Sequence, residues 1–282
     1  METKNIAKSP EKLAILEKIK ELEEKGIFDQ DVENDPEGKV LMPKDIKYLN
    51  KSPLAEIKRF IAFWSATRYF NKLVKNKQII INDIKGLENL YSVEGAILTC
   101  NHFNPFDSFV MQYIFRKSKH KKRMYRVIRE GNYTGFKGFY GFLMRNCDTL
   151  PLSSNTATMK KFYIAVEKAL QKKNCVLVYP EQSMWWNYRK PKPLKNGAFH
   201  MAVKNNVPVV PCFITLEDSD IIGDDGFPIQ IYTAHIGKPI YRDTTLNKID
   251  AIEKMKQDNY SYFKSVYEDF YKTPLKYNIK KG

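Results

Sequence analysis

The chain has 282 residues, 43% of them hydrophobic and 13% aromatic, with a formal net charge of +15. That length holds one large domain, or one domain with a small appendage, and the apolar content is enough for a core and excludes wholesale disorder. The positive charge calls for an anionic partner: nucleic acid, an acidic membrane surface or an acidic carrier. Cys100, Cys147, Cys175 and Cys212 are widely spaced and form no Cys-x-x-Cys pair. A disulfide framework and a zinc centre are therefore not expected, no metal is assigned, and a reducing, cytoplasmic compartment fits best. The N-terminus is charged and lacks a signal-peptide core, and no run approaches the roughly 18 to 20 apolar residues that span a bilayer. A soluble or peripheral protein is expected.

Residues 1–52 read as an N-terminal helical segment and connector. Ser9-Pro10-Glu11 supplies a cap, a proline for the first helical position and an acid for the first turn. Leu13, Leu16, Ile19 and Leu22 continue an apolar stripe that Gly26 can stop. The acidic, turn-rich stretch from Asp29 to Gly38 reads as a connector without chemistry of its own. Residues 53–78 change character. Leu54, Ile57, Phe60, Ile61, Phe63, Trp64, Tyr69, Phe70, Leu73 and Val74 stand among Lys58, Arg59, Arg68, Lys72 and Lys75. As a helix this stretch has a broad apolar arc, aromatic anchors and basic flanks, which suit the plane of a membrane interface as well as the cover of a sheet.

From residue 79 to 282, short apolar runs alternate with helical patterns. Ile79 to Ile81, Ala96 to Cys100, Arg123 to Ile128, Cys175 to Tyr179, Val207 to Thr215 and Ile229 to Ile236 read as strands. Phe106 to Phe115, Thr156 to Leu170, Gly197 to Lys204 and Asp250 to Tyr271 read as helices. The alternation predicts an α/β domain with a largely parallel central sheet flanked by helices, plus the N-terminal helical appendage. In such sheets the site lies at the carboxyl ends of the strands.

Two strand ends carry chemistry. The first delivers Asn101 and His102, then Phe103-Asn104-Pro105-Phe106, then Asp107 at the start of the next helix. Five residues apart, His102 and Asp107 would not share a face of one regular helix, but Pro105 breaks the helix and lets the loop fold the carboxylate back toward the ring. A histidine held by an aspartate is the hardware of a general base. Taken alone, Asp107 suits a helix cap equally well, and His102 a half-buried structural histidine. The second strand end delivers Pro180 and Glu181, then Gln182, Ser183, Trp185 and Trp186, then the basic loop Arg189-Lys190-Pro191-Lys192-Pro193-Leu194-Lys195. A helix starting near Gly197 would aim free backbone N–H groups at whatever that loop holds. Trp185 and Trp186 suit either an aromatic wall for a head group or plain packing.

Asn101 to Asp107, Tyr179-Pro180-Glu181, Lys195-x-Gly197-Ala198 and Val207-Pro208-Val209-Val210-Pro211, in that order, resemble the motifs of the glycerolipid acyltransferases of the lysophosphatidic-acid acyltransferase type. The resemblance covers roughly residues 80 to 240, and Ile236-Gly237-Lys238-Pro239-Ile240 also looks familial. It implies that His102 deprotonates an acceptor hydroxyl, which attacks the thioester of acyl-CoA or acyl-carrier protein, while Asp107 orients the ring. It implies a co-substrate rather than a cofactor, a lysolipid acceptor, and Arg129 as a basic group near the oxyanion. Asn101, Glu181, Gln182, Ser183, Arg189, Lys195 and Gly197 are the further candidates for substrate binding. Two positions depart from the pattern. The stretch from Asn146 ends in Leu152, and Gln182-Ser183 is followed by Met184, where the family carries phosphate-binding arginines. Either the acceptor lacks a phosphomonoester, or Arg145, Arg189, Lys190 and Lys192 hold it from elsewhere. Partners are expected to be an anionic membrane surface on the cytoplasmic face, the lysolipid and the acyl thioester. Nucleic acid is not expected, because the basic residues are dispersed and no nucleic-acid motif is present. The competing function is a non-catalytic, basic lipid- or nucleic-acid-binding protein.

Overall fold

The computed structural model describes residues 6–33, 37–91 and 93–280. The expected connector from Asp29 to Gly38 therefore falls partly, at 34–36, outside the described residues. Helix α1 runs Pro10–Glu24, and the side chain of Ser9 caps it by accepting from the Lys12 amide. Gly26, at φ +69°, turns the chain beyond it, a conformation that costs a residue without Cβ little. Helix α2 occupies Pro53–Lys75 behind its own Ser52 cap.

The body is a seven-stranded sheet built from β1 (Ile80–Lys85), β2 (Ala96–Cys100), β3 (Met124–Ile128), β4 (Thr149–Pro151), β5 (Cys175–Val178), β6 (Val209–Ile222) and β7 (Pro228–Ile236). Its order is β1-β7-β6-β2-β5-β3-β4, and only the β6–β7 pair is antiparallel. The helices are α3 (Asp107–Lys117), α4 (Glu130–Thr134), α5 (Gly138–Asn146), α6 (Thr156–Gln171), α7 (Gly197–Asn205) and α8 (Lys248–Tyr271). The architecture is thus α/β, with a largely parallel central sheet between helices and an N-terminal helical appendage. Strand β6 runs well past the expected Thr215, because it pairs with β7 from Cys212 onward and continues beyond the end of β1 as a two-stranded arm from Asp218 to Ile222.

Strands β2 and β5 are buried on both faces, which explains their uninterrupted apolar sequences. On one face Leu98, Cys100 and Leu177 pack with Val110, Met111 and Ile114 of α3 and with Phe70 and Leu73 of α2. On the other, Ile97, Val176 and Val178 pack with Phe162 and Val166 of α6, Phe199 and Ala202 of α7, and Met255 and Phe263 of α8. The chain leaves β2 toward α3 and leaves β5 toward α7, on opposite faces. The crevice at the carboxyl ends of these two neighbouring strands is where such sheets place their sites.

Trp185 and Trp186 do not form a head-group wall. They are buried against Ile15, Ile19, Leu22, Phe28 and Val32, and so fasten the N-terminal appendage to the domain. Helix α2 contributes Ala62, Phe70 and Leu73 to the interior but leaves Leu54, Ile57, Phe60, Ile61 and Trp64 exposed. Phe60 is 70% exposed and Trp64 56%. Among the described residues no helix is long and apolar enough to cross a membrane.

Candidate active site

Beyond β2 the chain turns through Asn101–Phe106, and Asp107 opens α3. Proline at 105 keeps the turn from becoming helix, and Asn104 shapes it by accepting from the Phe106 amide at 3.0 Å. The outcome is the contact anticipated from spacing: Nδ1 of His102 lies 2.5 Å from Oδ2 of Asp107. A carboxylate there can only accept, so the ring carries its proton on Nδ1, and Nε2 is left as the nitrogen able to take a proton from a substrate. Asp107 is 2% exposed and stands in the first turn of α3, where free amides and the helix dipole favour negative charge. His102 is 24% exposed and lines a cavity.

Tyr179 completes the support of the ring. Its aromatic face stacks on His102 with centroids 4.3 Å apart and planes 19° from parallel, and its hydroxyl lies 3.0 Å from that of Ser108. Burial, with the Asp107 carboxylate nearby, holds the phenol well above its ordinary pKa, so it is a neutral hydrogen-bonding group. The only sequence signal for this role is an aromatic residue just before Pro180.

Glu181 faces inward, away from any substrate. One carboxylate oxygen accepts the backbone N–H of His102 at 3.1 Å, and the other that of Lys192 at 2.9 Å. It is 2% exposed and lies 3.9 Å from the Lys192 ammonium, itself 1% exposed. Burial raises the Glu181 pKa, with Lys192 and the two amides pulling against it. Burial lowers Lys192 to about 8, against the pull of Glu181. The Lys192 ammonium donates to the carbonyl and hydroxyl of Ser183 at 2.6 and 2.7 Å, and Ser183 in turn donates to the carbonyl of Phe28 at 2.7 Å. Two further backbone bonds, from Trp185 to the His102 carbonyl and from Asn187 to the Phe103 carbonyl, lace the two loops together. Glu181 therefore positions His102.

The cavity has a volume of about 1130 Å3. Phe63, Phe70, Phe106, Phe109 and Leu143 form an apolar half against α2, α3 and α5, while Arg129, Asn132, Gln182, Lys195 and Gly197 stand in its polar half. Asp29, Asp31 and Glu33 also line it. The strap that carries them is fixed by the Ser183 bond to the Phe28 carbonyl and by the Trp185 indole donating to the Gln30 carbonyl at 2.8 Å. Its acids pair with cavity cations, Asp31 with Arg129 and Asp29 with Lys195, the latter at 2.8 Å. The acidic connector thus belongs to the site, which its composition did not reveal.

Not every candidate joins this cavity. Asn101 is buried and spends its amide on the backbone of Ile214, bridging β2 to β6. Arg189 pairs with Asp218 of β6 at 2.8 Å. Of the other suggested phosphate holders, Arg145 donates to the carbonyls of Tyr133 and Phe136, Lys190 pairs with Glu23, and Lys192 is sealed inside. None of the four lines the cavity. Leu152 and Met184 do line it, so its wall is apolar at the two positions where arginine was expected.

Comparison with known proteins gives two findings. Residues 82–215 match the family model described as Acyltransferase, just under half of the chain. Among solved structures, the 1-acyl-sn-glycerophosphate (LPA) acyltransferase PlsC from Thermotoga maritima is similar in fold, with a TM-score of 0.50 and 14% identity, over 79% of this chain and 82% of that one. No curated protein matches the chain in sequence.

Proposed function

We propose that the chain, whose residues 82–215 match the Acyltransferase family model, moves a fatty acyl group from a thioester donor to a hydroxyl of a lysophospholipid or related glycerolipid. The observation that carries this reading is the buried Asp107 carboxylate on Nδ1 of a cavity-lining His102. Nε2 takes the proton of the acceptor hydroxyl as its oxygen attacks the thioester carbonyl. Asp107 stabilises the imidazolium that forms and keeps the ring in the productive tautomer. Collapse of the tetrahedral intermediate expels the thiolate, which takes the proton back from His102. The transfer is direct: among the described residues no serine or cysteine side chain is hydrogen-bonded to the histidine, and the four cysteines are buried. The donor is acyl-CoA or acyl-carrier protein, with the acyl chain lying in the apolar half of the cavity.

The exposed face of α2 supports a peripheral membrane position. Leu54, Ile57, Phe60, Ile61 and Trp64 recur at helical spacing and face out of the protein. Burying one such side chain is worth about 1.5–3 kcal/mol, enough in sum to hold the domain on a bilayer when joined by basic residues. The same helix lines the cavity with Phe63, Ala66, Thr67 and Phe70, which brings the site next to the lipid surface.

The test incubates the protein with acyl-CoA or acyl-carrier protein and a panel of lysolipids and monoacylglycerols. Acylation of at least one acceptor is expected. Binding of lipid without acylation of any acceptor would leave a binding protein instead.

A further inference from the structure

We infer that Arg126 and Gln112 form a subsite inside the cavity for a singly charged phosphate, the phosphodiester of the acceptor. The inference rests on the acyl-transfer reading only for the origin of that phosphate. Both residues line the cavity, Gln112 from α3 and Arg126 from the middle of β3. Arg126 is 6% exposed. Its guanidinium donates to the carbonyl of Cys147 at 2.6 Å and to the side-chain oxygen of Gln112, and lies 5.6 Å from the ring of Phe63. All three partners are neutral.

The surrounding charges do not balance. Arg59 holds Asp148 at 2.8 and 2.9 Å, and Arg123 holds Glu56 at 2.8 and 3.1 Å while standing 3.8 Å from Asp148. Three arginines thus share two carboxylates, and among the described residues Arg126 forms no ion pair. It is also the one of the three that lines the cavity. A buried charge is costly without a counter-charge, and a guanidinium fork matches a phosphate through two parallel N–H bonds. At the mouth, by contrast, Arg129 and Lys195 already have Asp31 and Asp29, and the positions of the expected arginines are Leu152 and Met184. Arg116 and Lys117 also line the cavity without a carboxylate partner, but both are exposed to solvent, so among the described residues the buried, unpaired cation of the lining is Arg126. Gln112 stands five residues beyond Asp107 on α3, about 7.5 Å of helix rise, a separation that a glyceryl unit between hydroxyl and phosphate can bridge. One free charge matches a diester, whereas a phosphomonoester brings a second charge that finds no partner there.

The experiment titrates inorganic phosphate, at a pH below its second ionisation so that it carries a single charge, into the non-turnover His102→Ala protein by calorimetry, then repeats it with Arg126→Gln or Gln112→Glu added. Arg126→Gln is expected to weaken phosphate binding at least about tenfold. Gln112→Glu places the missing carboxylate on the guanidinium, so it should abolish phosphate binding and raise the unfolding temperature. That variant decides the matter if Arg126→Gln does not fold. In the His102-intact protein, Arg126→Gln should raise KM for a diester-linked lysolipid about tenfold and leave KM for a monoacylglycerol unchanged. Equal phosphate binding in all three proteins, no binding in any, or a Gln112→Glu protein that is neither stabilised nor blind to phosphate would overturn the subsite. Because the titration needs no turnover, a failed acylation assay would count against acyl transfer and leave the phosphate result standing.

Discussion

Glu181→Gln removes one atom's worth of charge and changes no shape, so its consequences can be worked out bond by bond. The carboxylate accepts two backbone N–H groups, from His102 at 3.1 Å and Lys192 at 2.9 Å. An amide has one acceptor oxygen, so one buried N–H loses its partner and faces another donor, at a cost of about 1–3 kcal/mol. The Lys192 ammonium also loses the nearer of the two carboxylates that act on it, Glu181 at 3.9 Å, and keeps the pull of Asp31, but this loss is capped. Lys192 is already lowered to about 8, and a group in that position escapes further cost by releasing its proton. From 8 down to pH 7 the added penalty is therefore about 1.4 kcal/mol, the equivalent of one pK unit. The expected loss at pH 7 is about 2–4 kcal/mol, measured by urea unfolding.

The pH dependence has a definite sign. Lys192 has a depressed pKa when folded, so the unfolded chain binds more protons between about 8 and its ordinary value of 10.5. Wild-type stability at this site is lowest below pH 8 and rises through that window. In Glu181→Gln the window begins lower, so the gap between variant and wild type should narrow by about 1 kcal/mol from pH 7 to pH 9.5. A loss below about 1 kcal/mol at pH 7, or a gap that widens with pH, would refute the reasoning.

Tyr179→Phe keeps the stacked ring and loses the hydroxyl's contacts with Ser108 and Asp107, so kcat should fall less than about tenfold, whereas Tyr179→Ala frees the His102 ring and should cost about ten- to a hundredfold, read from steady-state rates. Phe60→Glu with Trp64→Glu should weaken sedimentation with anionic vesicles at least about tenfold while leaving the unfolding temperature unchanged, because both side chains are exposed. Asp29→Asn with Asp31→Asn takes a carboxylate from each of Lys195 and Arg129, and should lower KM for lysophosphatidic acid by no more than about fivefold, because both pairs are partly exposed. An unchanged or higher KM would show that those pairs do not compete with the acceptor.

Much of the His102–Asp107 pair was legible because its determinants are local. An apolar run that stops at Asn101, a proline at 105 and an acid at 107 dictate a strand, a broken helix and a carboxylate at a helix start, all within twelve residues. The parallel sheet was legible for the same reason, since β2 and β5 are apolar throughout. The five-residue α4 and the three-residue β4 were not, because neither is long enough to show a period. The role of Glu181 was hidden because a carboxylate at a strand end suits a substrate and a pair of backbone amides equally, and only the approach of the loop from 101 to 106 decides between them. The strap was missed for a stronger reason. Asp31 meets Arg129 and Asp29 meets Lys195 across the whole length of the domain, and acidic, turn-rich composition carries no record of what it lies against. Trp185 and Trp186 were open to two readings until α1 was found to cover them.

The central claim is that His102, held by Asp107, removes the proton of the acceptor hydroxyl. The most direct measurement is the single-turnover rate of acyl transfer from a thioester to the best lysolipid acceptor, in wild type, His102→Ala and Asp107→Asn. A fall of about 10²–10⁴ is expected for His102→Ala, with a smaller fall for Asp107→Asn and near-native unfolding for His102→Ala, whose side chain is partly exposed. Transfer by His102→Ala at the wild-type rate would contradict the claim.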